Sequence, residues 1–259
     1  MLRLASRLLA CAILALPAPS WAASDTGDAC GAPEEFTTTD APLGQLATAI
    51  AAGGPVAVLA VGSATTVGSV SSATGLPTSA MPGATFPWHM TRALEAALPG
   101  VKFALTVRGG RGMTAEEMLP LLDAALKEQH YPLVLWQTGT VEAARGLRPD
   151  GMLDVLHTGA ERVRDAGGDL VLIDPQFSRF LRANTDLDPY EGVLQQVATM
   201  PGVVMFHRFD LMRAWANDGR IDLEHTQKAD RDKALDDLNE CLGKALARFV
   251  LSGADVQKK

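Results

Sequence analysis

Several things are scarce in this chain of 259 residues, and each scarcity excludes something. There is no surplus of positive charge: 23 Lys and Arg stand against 30 Asp and Glu, a formal net charge of -7. No basic cluster occurs beyond the N-terminus, which argues against a nucleic-acid partner. The apolar run near the N-terminus is too short to span a bilayer comfortably. No spacing of His, Cys and carboxylates matches a metal site, and neither a dinucleotide fingerprint nor a P-loop is present, so no cofactor is expected. Cysteine is limited to three residues, Cys11, Cys30 and Cys241. No internal repeat is evident, and nothing in the sequence reads out an oligomeric state.

What is present begins with an export signature. Arg3 and Arg7 precede an apolar stretch from Leu8 to Pro17, and Ser20-Trp21-Ala22 has the small-x-small form of a cleavage site. Residues 1–22 are therefore expected to be a signal peptide, the alternative being an uncleaved anchor. The mature chain would be secreted or periplasmic, with no stable membrane insertion. Cys11 would leave with the peptide. Cys30 and Cys241 then allow one intramolecular bridge in an oxidising compartment, or else stand as two separate buried thiols. Residues 23–42 read as an extended segment, 43–251 as one globular domain and 252–259 as a disordered tail.

Within that domain, strand and helix patterns alternate. Strands are expected at Val56–Val61, Phe103–Val107, Leu133–Trp136, Leu170–Ile173 and Val203–Phe206. Helices are expected near Leu43–Ala52, Trp88–Leu98, Thr114–Glu128, Gly151–Ala166, Pro189–Thr199, Leu211–Ala216 and Asp232–Leu251. Thr114 with Glu117 spells a capping box, and Gly100 and Gly167 stand where helices end. The pattern predicts an α/β domain with a parallel sheet covered on both faces. Gly68–Gly83, rich in Ser, Gly, Thr and Pro, reads as a surface loop or as a lid over a site.

Such sheets bind ligands beyond the carboxyl ends of their strands. The run Val56-Ala57-Val58-Leu59-Ala60-Val61 ends on Gly62-Ser63, so Ser63 stands where a nucleophile would be placed, or where a serine caps the next helix. His89 and His157 fall on helices, His130 at a helix end and His207 after the fifth strand. Asp174-Pro175 closes the fourth strand, as a turn or a pocket wall.

Ser63 after the first strand, Arg108-Gly109-Gly110-Arg111-Gly112 after the second and Gln137-Thr138-Gly139-Thr140 after the third resemble the SGNH (GDSL-like) hydrolases. The likeness extends from about Val56 to Val250. It implies a three-layer α/β/α, flavodoxin-like fold with five parallel strands. It also implies hydrolysis of acyl or acetyl esters on a small-molecule, glycan or lipid substrate. By this resemblance Ser63 is the nucleophile and Gly112 the oxyanion glycine. An Asp-x-x-His pair completes the site, and Asp222-Leu223-Glu224-His225 spells it. Counting back from the last helix gives a second register, Asp230 to Lys233, with lysine in the histidine's place. Two departures stand out. The aspartate common between Gly62 and Ser63 is missing, and Val141 occupies the position of the oxyanion asparagine. Glu142 beside it would repel a developing oxyanion, and Gln137 is a substitute amide donor one turn away. An alternative reading is thus a degenerate SGNH domain that binds a glycan or cell-envelope ligand without turnover, and a third is a structural envelope protein.

Overall fold

A parallel sheet forms where strands are apolar on both faces, and this chain supplies five. The computed structural model describes residues 30–68 and 85–255. Its strands are β1 (Pro55–Gly62), β2 (Lys102–Gly109), β3 (Leu133–Gln137), β4 (Asp169–Ile173) and β5 (Val203–Phe206). They pair in the order β2-β1-β3-β4-β5, every pair parallel. Every residue of β3 and β4 is buried. Side chains alternate between two cores, as the pleat requires. Leu133 and Leu135 enter one core with Val171 and Ile173, while Val134 and Trp136 enter the other with Leu170 and Leu172.

Helices cover both faces. The first core is closed by α1 (Gly44–Ala52), α3 (Phe86–Ala97) and α10 (Arg231–Gly253), through residues such as Leu46, Met90, Leu94, Leu242 and Leu246. The second is closed by α4 (Ala115–Glu128), α6 (Pro149–Asp165) and α8 (Asp188–Val197), through Met118, Leu122, Leu156 and Leu194. The expected capping box is formed: the Thr114 hydroxyl accepts from the Glu117 N–H, and the Glu117 carboxylate accepts from the Thr114 N–H. Helix α9 (Arg208–Asn217) follows β5 directly and contributes Leu211 and Trp215 to the first core. This is the three-layer α/β/α architecture expected from the sequence.

Three short helices were not legible in the sequence: α2 (Ala64–Val67), α5 (Thr140–Arg145) and α7 (Arg179–Asn184). Each spans under two turns, too short to show an apolar period. Strand β2 also runs two residues past its expected end. Gly109 permits this, because it has φ +130° and a Cβ there would lie 1.9 Å from the Gly62 carbonyl oxygen. The backbones after β1 and β2 therefore approach as only glycine allows.

The N-terminal segment is sewn onto the domain. Cys30 and Cys241 form a disulfide with a Cα–Cα distance of 4.9 Å, the pairing favoured by the sequence. The Trp215 indole N–H donates to the Cys30 carbonyl at 2.9 Å. The Thr39 N–H donates to the Ser252 hydroxyl and the Leu43 N–H to the Gly253 carbonyl. Helix α10 thus continues to Gly253, beyond its expected end at Leu251. Among the described residues no helix is long and apolar enough to cross a membrane. The expected signal peptide and loop residues 69–83 lie outside the described residues.

Candidate active site

Ser63 ends the turn after β1 and takes the N-cap position of α2, but its hydroxyl does not cap that helix. It is 8% exposed and donates to Gln137 Oε1 at 3.3 Å. The same oxygen accepts from the Ser63 N–H at 3.1 Å, the Thr66 hydroxyl at 3.1 Å and the Thr65 hydroxyl at 3.4 Å. A backbone N–H can only donate, so the carbonyl end of the Gln137 side chain must face Ser63. This corrects the expectation that Gln137 offers an amide donor at this point: toward Ser63 it acts as an acceptor.

A buried arginine stands behind this loop. Arg208, first residue of α9, is 1% exposed. Its Nη1 donates to the Thr65 hydroxyl at 3.2 Å, and its Nε and Nη2 donate to the Asp174 carbonyl at 3.1 and 2.8 Å. The guanidinium also lies over the Phe86 ring at 5.9 Å. Burial pulls its pKa down to about 10, so it stays charged at neutral pH. One side chain therefore ties together the ends of β1, β4 and β5. No motif in the sequence marks Arg208, which follows His207 at the end of the fifth strand.

Asp174 is buried beside it, with the Phe209 N–H donating to Oδ1 at 2.9 Å. Burial pushes this carboxyl well above its ordinary range, outweighing the Phe209 bond and the Arg208 charge. The folded chain then holds the proton more tightly than the unfolded chain. The stability this gives is complete below about pH 4 and is lost as pH rises through the elevated folded value. Asp174→Asn keeps the acceptor for Phe209 and removes the titration. The expected result is a thermal midpoint that falls less than wild type between pH 5 and pH 9. Parallel slopes in a thermal melt series would contradict this account.

Asp222 and His225 form the pair their spelling suggests. His225 Nδ1 lies 2.7 Å from Asp222 Oδ2. Asp222 Oδ1 also accepts from the Glu224 and His225 N–H groups at 3.1 and 3.2 Å. Arg179, at the start of α7, bonds the carboxylate at 2.9–3.0 Å. Burial alone would raise the Asp222 carboxyl, but the bonds from Arg179 and His225 hold it well below the usual range. Glu224 completes the clamp, accepting from the Ser178 hydroxyl at 2.7 Å and the Arg179 N–H at 2.9 Å. The competing register does not form such a pair. Lys233 lies in the first turn of α10 with its side chain 78% exposed, and it bonds Asp237 at 2.6 Å. That contact raises its pKa, which keeps it protonated. The His225 side chain is 73% exposed. Among the described residues no hydrogen bond joins it to Ser63, whose hydroxyl is turned to Gln137.

Gly112 and Val141 are the residues the resemblance assigns to the oxyanion positions. Gly112 has φ +75° in the turn after β2, and its carbonyl accepts from Arg145 Nη2 at 2.8 Å. Val141 is half-buried at the start of α5. Glu142 is buried and does not stand as a free charge. Its carboxylate accepts from the Ala115 N–H, the Thr138 hydroxyl at 2.9 Å and the Gly139 N–H at 2.9 Å. The repulsion expected from the sequence is thereby blunted, because three donors already share that charge.

A five-stranded parallel sheet in this order between two helical layers is the fold of the SGNH hydrolases. The chain is a member of the non-GDSL lipase-like family, whose model matches residues 29–256. Among solved structures it is similar to AlinE4, an SGNH-hydrolase family esterase, with 20% identity over 68% of this chain and 85% of that one and a TM-score of 0.51. It is also similar to a mutant of Axe2, an acetyl-xylooligosaccharide esterase from Geobacillus Stearmophilus, with 15% identity over 73% and 95% and a TM-score of 0.56. A lipase/acylhydrolase from Enterococcus faecalis shares 16% identity over 73% and 96%, with a TM-score of 0.52. No curated protein matches the chain in sequence.

Proposed function

We propose that this chain is an exported serine hydrolase of acyl or acetyl esters. Ser63 is the nucleophile, His225 the general base, Asp222 the residue that orients it, and the amides of Ser63 and Gly112 the oxyanion donors. The observation that carries the reading is the clamped Asp222–His225 pair, 2.7 Å between Oδ2 and Nδ1. With Nδ1 held by the carboxylate, Nε2 is left to exchange the proton. The esterases similar in fold support an ester substrate, and the disulfide fits an oxidising compartment.

The reaction follows from those roles. The Ser63 hydroxyl turns from Gln137 to the imidazole, which takes its proton as Oγ bonds to the acyl carbon. The oxyanion is held by backbone N–H groups. His225 returns the proton to the alkoxide as the ester C–O bond breaks, and the alcohol leaves. Water activated by the same imidazole then attacks the acyl carbon, the bond to Oγ breaks as His225 returns the proton to it, and the carboxylic acid leaves with Ser63 regenerated.

Two observations favour a second reading, binding without turnover: the serine amide and hydroxyl are both engaged by Gln137, and Val141 offers no donor. Labelling the purified mature chain with a fluorophosphonate probe separates the two readings. Labelling that depends on Ser63 is the expected result. Its absence in folded protein would overturn the serine mechanism in favour of a binding domain for glycan or acylated envelope components.

A further inference from the structure

Val141 leaves the oxyanion region short of a donor, and the same short helix carries a cation one turn further on. Val141 and Arg145 are four residues apart on α5, which places them on one face. Helical side chains lean toward the N-terminus, so Arg145 lies over the turn that carries Val141. Its guanidinium is seated against the oxyanion glycine: Nη2 donates to the Gly112 carbonyl at 2.8 Å, and a Cβ placed on Gly112 would lie 3.6 Å from that nitrogen. Glu117 is the other charged group at hand, with Oε2 3.9 Å from Nη1. Of the five N–H donors of the guanidinium, the Gly112 carbonyl takes one.

We infer that Arg145 takes over the work of the missing asparagine. It fixes the Gly112 turn through the carbonyl and places a positive charge beside the oxygen that becomes negative in the transition state. The inference rests on the serine mechanism proposed above. It gives a physical reason why valine is tolerated at 141: stabilisation of the oxyanion comes from four residues later on the same helix face, as a charge instead of a neutral amide. A fixed cation at a developing oxyanion acts on the transition state more than on the neutral ester, so it should govern kcat and leave KM largely unchanged.

The test is a double-mutant cycle on the full mature chain, with p-nitrophenyl acetate as substrate. Arg145→Gln keeps a donor for the Gly112 carbonyl and removes the charge. It is expected to lower kcat about 100-fold with KM within a few-fold, the usual scale for one oxyanion group. Arg145→Lys keeps the charge and should stay within about 10-fold of wild type. Val141→Asn should raise kcat only slightly in wild type, but about 10-fold or more in the Arg145→Gln background, because both groups serve one oxygen and are not additive. A merely structural Arg145 would not be rescued in this way. Arg145→Gln within about two-fold of wild type, or equal gains from Val141→Asn in both backgrounds, overturns the inference. If wild type hydrolyses no ester, or its turnover survives Ser63→Ala, the serine mechanism fails and the inference fails with it. Ser63-dependent turnover that is indifferent to Arg145 removes the inference alone.

Discussion

Ser63→Ala is expected to abolish fluorophosphonate labelling and to lower ester hydrolysis by at least about 1,000-fold, with the fold intact. In the proposed mechanism this hydroxyl is the group that forms the acyl-enzyme. Its removal leaves binding and the backbone donors, which give only residual rate. The stability cost should be small. The hydroxyl makes one bond among the described residues, to Gln137 Oε1 at 3.3 Å, and a neutral bond of this kind contributes about 1 kcal/mol. Gln137 Oε1 would still accept from the backbone N–H at this position and from Thr65 and Thr66, so no buried acceptor is stranded. The thermal midpoint should move by roughly 2–4 °C. Labelling and rates on p-nitrophenyl acetate, read beside a thermal melt, check all three points. Hydrolysis surviving in a folded variant would show that Ser63 is not the nucleophile. Loss of activity with a large fall in midpoint would instead make the Ser63–Gln137 network a structural element.

The parts of this site legible in the sequence are those fixed by local pattern. Ser63 could be placed because a β-branched strand ends on it, and Gly112 because a glycine-rich turn follows the next strand. Asp222 and His225 are three residues apart and fold into their own hydrogen-bonded turn, which their spelling announces. Counting back from the last helix leads elsewhere, because a 3-10 turn at Lys228–Asp230 leads straight into α10. Asp230 and Lys233 therefore fall at the helix start, whereas Asp222 is carried back to α7 by Arg179. What was not legible is tertiary. Gln137 meets a residue 74 positions earlier, Arg208 reaches Thr65 across 143 positions, and Arg145 meets Gly112 across 33. No periodicity encodes such contacts. The one available hint was chemical: an arginine directly after a buried strand has to find acceptors, and strand-end carbonyls are the nearest.

The same contrast holds for the scaffold. All five strands could be read because each is a short apolar run with turn residues beside it, and Val203–Phe206 matches its expected bounds. The short helices α2, α5 and α7 could not, yet all three are in or next to the candidate site: α2 begins directly after Ser63, α5 carries Val141 and Arg145, and Arg179 of α7 holds Asp222. In this fold the well-patterned segments build the platform and the pattern-poor ones carry the candidate site, because a site needs turns and polar groups that break apolar periodicity.

Removing the Cys30–Cys241 bridge should produce the largest change in stability. The two cysteines are 211 residues apart, so the bridge closes most of the 259-residue chain into one loop. In the chain-entropy model a loop of this length contributes about 5 kcal/mol, and native disulfides commonly give about 2–5 kcal/mol. Cys30→Ala with Cys241→Ala is the suitable variant. Both positions are 4% exposed, and serine would bury hydroxyls without assured partners. The folded state should lose little beyond the bridge itself. Trp215 still binds the backbone carbonyl at position 30, and Thr39 and Leu43 still bind the end of α10. The loss should therefore appear as a thermal midpoint lower by on the order of 10 °C, set mainly by the unfolded chain's regained freedom. Wild type in reductant should fall to nearly the same midpoint, and intact mass should show the two hydrogens gained on reduction. A wild-type midpoint unmoved by reduction, with the mass shift confirmed, would mean that the contacts of Trp215, Thr39 and Leu43 already fix the segment and that the bridge constrains little in the unfolded chain.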